Sequence, residues 1–269
     1  MRDEAAERKA RTSALFDRIA PDYDLAGPGC FAHFGRRLAE VAEVGPGQRV
    51  LDVATGRGAV LFAAADRVGP TGEVSGIDLA EGMVRLTSEE ATRRGLAARI
   101  GIMDAERLDF PDRSFDRVLC GFGVMFLPNL GRALGEFRRA LAPGGRVGLS
   151  TWRVSQGDDL AAMLMQLGLM KPGEAQALQF NEPEHLERPV VTAGFSDVRV
   201  LIDAATFRYR DVEQYWQDAR GTGLRHWLDA LDAAQTMRAK DALAERFRPH
   251  RRAGGIDLTA VALLATAVR

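Results

Sequence analysis

Two aspartates and the glycine turn between them are the residues of this sequence best suited to chemistry. Asp52 ends an apolar run and is followed by a turn that contains Gly56 and Gly58. Asp78 ends the next apolar run, 22 positions after Gly56 (78 minus 56), close to the roughly 20 of a strand–helix–strand unit. Small residues at such a turn let a nucleotide-like ligand approach the backbone, and the second carboxylate can accept hydrogen bonds from both ribose hydroxyls.

The charge of Asp52 discriminates between nucleotide-like ligands. A dinucleotide fingerprint needs a third glycine, but Val60, Leu61 and Phe62 occupy that region. A carboxylate at Asp52 would also repel a pyrophosphate, whereas it would attract an ammonium or sulfonium group. The pattern therefore favours S-adenosylmethionine, an adenosine compound with a sulfonium centre, over a nicotinamide cofactor.

Residues 50–58 resemble motif I of the class I S-adenosylmethionine-dependent methyltransferases, with Ala54 where that motif usually has its first glycine. Alanine at this position is familiar in the menaquinone and ubiquinone biosynthesis C-methyltransferases, the group that this sequence resembles most. The other matching segments are residues 15–24, 104–105, 110–116 and 141–145.

The resemblance implies that S-adenosylmethionine is the cofactor and assigns a role to each matching position. Asp52 and the backbone of the glycine turn would hold the methionine part, and Asp78 would bind the ribose. Asp104 would accept from the adenine amino group, while Tyr23 would close over the cofactor. The implied cofactor-binding residues are Tyr23, Asp52, Ala54, Thr55, Gly56, Gly58, Asp78, Leu79, Met83, Asp104, Ala105, Cys120, Gly121 and Phe122.

Several of these residues also have a purely structural interpretation. Asp78 could cap the following helix, and Asp104 could be an ordinary turn residue. Met83 and Cys120 could belong to the apolar core. The sequence alone leaves these alternatives open.

Methyl transfer from a sulfonium mainly requires that the nucleophile be aligned and that water be excluded. A general base is needed only when the nucleophile carries a proton of high pKa. We name His33, which follows Phe31 on a predicted helix beside the expected site, and Tyr23 as candidate catalytic residues. The remaining candidates are Asp24, His185, His226 and His250, and no metal site is predicted.

Strand-like runs alternate with amphipathic segments from residue 48 to residue 151, which predicts βαβ units and a parallel sheet. We expect one doubly wound α/β domain with a mostly parallel, seven-stranded sheet whose last strand is antiparallel. Its expected parts are an N-terminal helical lid (residues 1–45), a cofactor-binding core (46–152), substrate-side helices with one strand (153–256) and the final strand (257–269). Within the third part, residues 198–202 are predicted to form the strand and residues 211–248 to be helical.

Residues beyond the core are expected to build the pocket for the methyl acceptor. Two regions, residues 154–180 and 206–255, should lie beyond the carboxyl ends of the strands. Their large apolar side chains predict a hydrophobic or aromatic small-molecule acceptor. These side chains are Met163, Met165, Met170, Phe180, Tyr215, Trp216 and Trp227.

Composition limits the partners and the compartment. Hydrophobic residues make up 46% of the chain, charged residues 27%, and the net charge is -1, which argues against nucleic acid as a partner. No apolar run approaches the roughly 20 residues that span a bilayer. Cys30 and Cys120 lack metal-ligand spacing and are expected to be reduced. We therefore expect a cytoplasmic protein, either a monomer or a homodimer.

Three other functions are weighed against methyl transfer. A cyclase or another non-methylating enzyme could keep the cofactor site, and no feature of the sequence excludes it. A non-catalytic cofactor-binding subunit is disfavoured because both acidic residues of the site are present. A nicotinamide reductase is disfavoured by the missing glycine and by Asp52.

Overall fold

The computed structural model describes residues 2–153, 160–170 and 180–269, and its centre is a mixed β-sheet. The strands are β1 (Arg49–Val53), β2 (Glu73–Asp78), β3 (Ala98–Ile102), β4 (Phe115–Gly121), β5 (Leu141–Trp152), β6 (Ser196–Tyr209), β7 (Arg251–Arg252) and β8 (Gly255–Val268). They lie in the order β3-β2-β1-β4-β5-β8-β6, and β7 pairs with β8 outside this path.

The sheet is parallel except at β8, which pairs antiparallel with both β5 and β6. This arrangement confirms the predicted doubly wound, mostly parallel sheet with an antiparallel last strand. The prediction of seven strands was short by one, because β7 has only two residues. That strand turns back onto β8 through Gly254, whose positive φ of 85° suits a tight turn.

Helices cover both faces of the sheet. They are α1 (Arg2–Ile19), α2 (Cys30–Val41), α3 (Ala59–Val68), α4 (Glu81–Arg93), α5 (Leu130–Ala140), α6 (Leu160–Gln166), α7 (Pro183–Thr192), α8 (Val212–Arg220), α9 (Arg225–Leu228) and α10 (Ala233–Arg246). Within the described ranges, no helix is long and apolar enough to cross a membrane.

The segment from residue 211 to residue 248, predicted as helical throughout, is divided into α8, α9 and α10. The Asp211 side chain accepts from the backbone of Gln214 at the start of α8. Asp232 and Gln235 form a reciprocal capping box at the start of α10. These side-chain caps begin separate helices within the segment that was predicted to be helical.

The last two long strands extend beyond the rest of the sheet. The pairing of β5 with β8 ends at Trp152 and Ala262, but β6 and β8 continue to pair up to Tyr209 and Ile256. Residues 204–209 and 256–261 therefore form a two-stranded ribbon past the end of β5, called the overhang below. The predicted strand at residues 198–202 was too short because exposed residues interrupt the apolar pattern of this edge strand.

The chain changes direction across the sheet between β1 and β4. Strands β1, β2 and β3 follow one another toward one edge, whereas β4 and β5 lie on the other side of β1. Ligands of open α/β sheets bind beyond the carboxyl ends of the strands at such a switch point. The turn after β1 and the end of β4 are therefore where a ligand site is expected.

Candidate active site

The turn between β1 and α3 has an unusual backbone conformation. Ala54, Gly56 and Gly58 all have positive φ values, of 55°, 52° and 83°. The backbone N–H of Thr55 donates to the carbonyl of Ile77 on β2 at 2.9 Å, which fixes the turn to the sheet. Glycine adopts such conformations without strain, whereas alanine does not. Ala54 therefore tolerates strain at a position where glycine is common in the resembled motif.

Asp52 is a buried carboxylate with one oxygen left without a partner. The side chain is 1% exposed, and Thr55 Oγ1 donates to its Oδ2 at 2.7 Å. Its Oδ1 has no hydrogen-bond partner among the described residues. Burial raises the pKa of Asp52 to about 7. Asp52 also lines a cavity of about 270 Å³, so its carboxylate lies beside a space that suits a cationic group such as an ammonium or sulfonium.

Asp78 connects the glycine turn to the next strand. Its Oδ2 accepts from the backbone of Gly56 at 2.9 Å, and its Oδ1 accepts from the backbone of Ala80 at 3.0 Å. Burial raises its pKa, while these backbone hydrogen bonds oppose the shift. Asp78 thus holds the backbone of Ala80, the N-cap residue of α4, and also lines a second cavity of about 90 Å³. The structural and ligand-binding interpretations of this residue are compatible.

Asp104 follows β3 and lines the second cavity together with Leu79 and Ala105. Its Oδ1 accepts from the backbone of Glu106 at 2.9 Å, and its Oδ2 accepts from Lys9 Nζ at 2.8 Å. Lys9 belongs to α1, which therefore covers this cavity. An adenine amino group that approached Asp104 would meet an oxygen already engaged by Lys9.

A third cavity, of about 560 Å³, lies between the end of β4, α1, α8 and the overhang. Tyr23 and Phe122 line all three cavities and so mark where they meet. Tyr23 stacks on Phe31 with ring centroids 5.1 Å apart, and Phe122 stacks on Trp152 at 4.1 Å. Aromatic rings at this junction are suited to surround a cationic centre and to exclude water.

The third cavity has the apolar character predicted for an acceptor pocket, and we call it the acceptor cavity. Of the side chains named for this role, Tyr215 and Trp227 line it. Met163, Met170 and Trp216 are instead buried in the apolar cluster behind it. Met165 and Phe180 pack against that cluster, while residues 154–159 and 171–179 lie outside the described residues.

Most of the predicted cofactor residues face one of the three cavities. Those that do are Tyr23, Asp52, Ala54, Thr55, Gly56, Asp78, Leu79, Asp104, Ala105, Gly121 and Phe122. Three others do not line them. Gly58 shapes the turn, because a Cβ there would lie 2.5 Å from Phe62 Cε2. Met83 packs with Ile19 and Ala20, and Cys120 is fully buried in the core.

The structure does not bring His33 to the cavities, which corrects the first catalytic prediction. Its ring lies against Phe34 at 5.0 Å and Phe207 at 5.5 Å, because successive residues of α2 point about 100° apart. His185 is exposed, and His226 lines the acceptor cavity at an exposed position.

Tyr23, the second catalytic candidate, lies at the junction but is poorly suited to act as a base. Burial raises the pKa of its hydroxyl, and Asp24, Asp78 and Asp218 raise it further. Deprotonation of Tyr23 is therefore disfavoured. In its neutral form, the Tyr23 hydroxyl can donate a hydrogen bond.

Sequence reasoning missed several charged residues of the site. Arg36 and Arg94 line the first cavity, whereas Lys9 lies beside Asp104 and Asp218 lies on the wall of the acceptor cavity. They come from α1, α2, α4 and α8, elements far apart in the chain. No local pattern in the sequence marks them as neighbours.

Comparison with known proteins agrees with this geometry. Residues 50–145 match a family described as a methyltransferase domain. The chain is 43% identical to aklanonic acid methyltransferase DauC of Streptomyces sp. (strain C5) over 144 residues, 53% of this chain and 66% of that protein. It is 36% identical to the ubiquinone/menaquinone biosynthesis C-methyltransferase UbiE of Cupriavidus metallidurans over 147 residues, 53% of this chain and 60% of that protein.

A solved structure of the [4+2]-cyclase SpnF has the same fold, with a TM-score of 0.54 and 23% identity over 88% of this chain and 80% of that one. The chain spans less than two thirds of the length of the two curated relatives. The resemblance seen in the motifs is confirmed: residues 50–145 match a methyltransferase domain, and the chain is similar to S-adenosylmethionine-dependent methyltransferases. Its relatives include the ubiquinone/menaquinone C-methyltransferases.

Proposed function

We propose that this protein is an enzyme that transfers a methyl group from S-adenosylmethionine to an oxygen, carbon or nitrogen atom of a small hydrophobic or aromatic metabolite. One observation carries the proposal. Tyr23 and Phe122 join a cavity lined by Asp52, whose carboxylate is buried with one oxygen unpartnered, to a mainly apolar cavity of about 560 Å³. A cationic cofactor and an apolar acceptor could therefore meet at this junction.

Some residues of the site would bind the cofactor, and others would shield the reacting atoms from water. Asp52 would neutralise the cationic methionine part, Asp78 would bind the ribose, and Asp104 would face the adenine. When bound, the cofactor supplies a methyl group on a good leaving group. Tyr23 and Phe122 would exclude water from the reacting atoms, and orientation alone can lower the barrier by several kcal/mol.

Cofactor binding is tested by calorimetry with S-adenosylmethionine, S-adenosylhomocysteine and NADH. We expect both adenosyl compounds to bind and NADH to be inert. Asp78→Ala should abolish binding, because it removes the carboxylate that holds the glycine turn and faces the cavity. Asp241→Ala, an exposed change on α10, is the matched control and should bind like the wild type. Folded wild-type protein that binds neither adenosyl compound would overturn the proposal.

Binding alone does not establish methyl transfer, since a cyclase shares this fold. The second measurement is therefore mass spectrometry of aromatic and quinone-like acceptors incubated with protein and S-adenosylmethionine. A product heavier by one CH₂ unit, formed together with S-adenosylhomocysteine, identifies methyl transfer. Product formation without consumption of S-adenosylmethionine would identify the cyclase alternative instead.

The organisation and location of the protein are part of the same proposal. We propose one domain, with residues 1–45 as the lid, 46–152 as the cofactor-binding core, 153–256 as the substrate-side segment and 257–269 as the final strand. The single sheet that contains strands from three of these parts supports it. The free thiols of Cys30 and Cys120 support a cytoplasmic site of action, where thiols stay reduced.

A further inference from the structure

Asp218 is a carboxylate on the wall of an otherwise mainly apolar acceptor cavity. It lies on α8, and the hydroxyl of Tyr209 donates to its Oδ2 at 2.7 Å. Tyr209 is 5% exposed and ends the overhang strand β6. A carboxylate fixed by one strong hydrogen bond at the edge of an apolar cavity is suited to accept a proton from a ligand.

The position of this carboxylate is also fixed from the opposite side. The loop between α1 and α2 brings Gly27 so close that a Cβ added there would lie 2.3 Å from Asp218 Oδ1. A side chain at position 27 would therefore displace the carboxylate. Tyr209 and Gly27 together hold Asp218 against the cavity.

Asp218 also lies near the place where the three cavities meet. Its charge contributes to the raised pKa of Tyr23, which lines all three cavities. Burial raises the pKa of Asp218 itself, while the hydrogen bond from Tyr209 opposes this shift. An aspartate with a raised pKa is a better proton acceptor than an exposed one.

We propose that Asp218 is the proton acceptor for a hydroxyl group, phenolic or enolic, on the methyl acceptor. This inference rests on the proposed function and narrows it to O-methylation. In the step, the acceptor oxygen forms a bond to the methyl carbon while the bond between that carbon and sulfur breaks, its electron pair remaining on sulfur. The hydroxyl proton moves to the Asp218 carboxylate, so the products are a methyl ether, S-adenosylhomocysteine and protonated Asp218.

The other titratable groups nearby are less suited to this role. Burial raises the pKa of Cys30 to about 12, and its Sγ lies 3.9 Å from the Tyr209 hydroxyl. Asp24, whose pKa burial raises to about 7, lines the first cavity but is not among the lining residues of the acceptor cavity. His226 lies at an exposed position on the acceptor cavity. Asp218 is a carboxylate on the wall of the acceptor cavity, and a hydrogen bond from Tyr209 orients it.

The test compares the wild type with Asp218→Asn and Tyr209→Phe, using hydroxyanthraquinones and their methoxy analogues as probes. We expect the wild type to methylate the hydroxyl probes and leave the methoxy probes unchanged. Asp218→Asn should lower kcat at least 100-fold and change KM by only a few-fold. Its calorimetric affinity for S-adenosylhomocysteine should stay within about twofold of the wild type, which separates this inference from the proposed function.

Tyr209→Phe keeps the carboxylate and removes the hydrogen bond that it accepts from the Tyr209 hydroxyl. Because the lost hydrogen bond stabilised the ionised form, the pKa of Asp218 should rise further. The acid limb of the pH–kcat profile, where activity falls as Asp218 is protonated, should then move to higher pH. The other titratable groups that interact with Asp218 are unchanged in this variant; they are Tyr23, Asp24 and Cys30.

Three results would overturn the inference. Asp218→Asn could keep the wild-type kcat, or the acid limb could stay in place in Tyr209→Phe. The wild type could also bind S-adenosylhomocysteine yet methylate none of the hydroxyl probes. Failure to bind S-adenosylhomocysteine at all would instead remove the proposed function, and the inference with it.

Discussion

Lys9 Nζ lies 2.8 Å from Asp104 Oδ2 and 2.7 Å from Glu106 Oε2, so that one ammonium group connects α1 to the segment after β3. The hydroxyl of Ser13 adds a hydrogen bond of 3.1 Å to the carbonyl of Leu79, just beyond β2. The N-terminal helix is therefore attached to the ends of two strands that line the second cavity. Its attachment is polar, and charge substitutions can test it.

Lys9→Met should lower the free energy of unfolding by about 1–2 kcal/mol, because it leaves the buried Glu106 carboxylate without its counter-charge. Amide hydrogen exchange should also become faster in α1. Arg85→Met is the matched control, since its ion pair with Glu89 is exposed and worth little. Equal effects of both substitutions on urea unfolding would contradict a specific role for Lys9.

The stability of Asp52→Asn relative to the wild type should increase when the pH is raised from 5 to 8. Burial raises the pKa of Asp52 to about 7 from 3.8, so the folded state holds this proton more tightly than the unfolded state does. The free energy of unfolding of the wild type should therefore fall by on the order of 2 kcal/mol between pH 5 and pH 8, whereas that of the asparagine variant should not. Urea unfolding of both proteins at the two pH values measures the difference. A difference independent of pH would contradict the assignment.

Cofactor binding to the wild type should release a proton near pH 6. A cationic ligand beside Asp52 favours its ionised form and so lowers its pKa. Calorimetry in two buffers with different ionisation enthalpies reports the number of protons released. The release should be smaller in Asp52→Asn. Burial also raises the pKa of Asp24 to about 7, so Asp24→Asn measures how many of the released protons come from Asp24. Equal release by wild type and Asp52→Asn would exclude Asp52 as the source.

His33→Ala should leave kcat/KM within about twofold of the wild-type value, because its ring packs against Phe34 and Phe207 and lines none of the three cavities. Phe31→Ala should lower kcat/KM at least tenfold, since Phe31 stacks on Tyr23 at the junction. Both values come from steady-state kinetics with an identified acceptor. A large loss of kcat in His33→Ala would restore the histidine as a catalytic candidate.

Gly27→Ala should reduce methyl transfer at least tenfold while S-adenosylhomocysteine still binds, because the added Cβ would displace the Asp218 carboxylate. Gly135→Ala makes the same chemical change at an exposed position inside α5. A Cβ added there has no atom of a neighbouring element within 4 Å. That control should keep full activity and gain about 0.5–1 kcal/mol of stability from its better helix propensity. Full activity in Gly27→Ala would show that the carboxylate does not depend on this glycine.

The cofactor half of the fold could be predicted from the sequence because its signals are local. The residue bounds of β1, α3 and β2 follow directly from apolar runs interrupted by the glycine turn and ended by Asp78. The acceptor half could not be predicted in the same way. Its polar residues meet through long-range contacts, as when Asp218 approaches Gly27, and no periodicity indicates such neighbours.

Periodicity also shows that a residue is buried without showing what it is buried against. Met83 and Cys120 were expected near the cofactor, but each faces a separate apolar cluster. His33 was expected at the site because its predicted helix was expected to lie beside it. Only the rotation of α2 against β6 decides that its ring faces Phe207.

The overhang of β6 and β8 has a consequence for how this protein can evolve. Its residues 204–209 and 256–261 form part of the acceptor cavity wall, yet they lie outside the 50–145 segment that matches the methyltransferase domain family. Mutations there can reshape the space for an acceptor while the aspartates that face the cofactor stay unchanged. Under the proposed function, a lineage could thus explore new metabolites without first losing its methyl donor, and a mutant library confined to the overhang would be the laboratory equivalent.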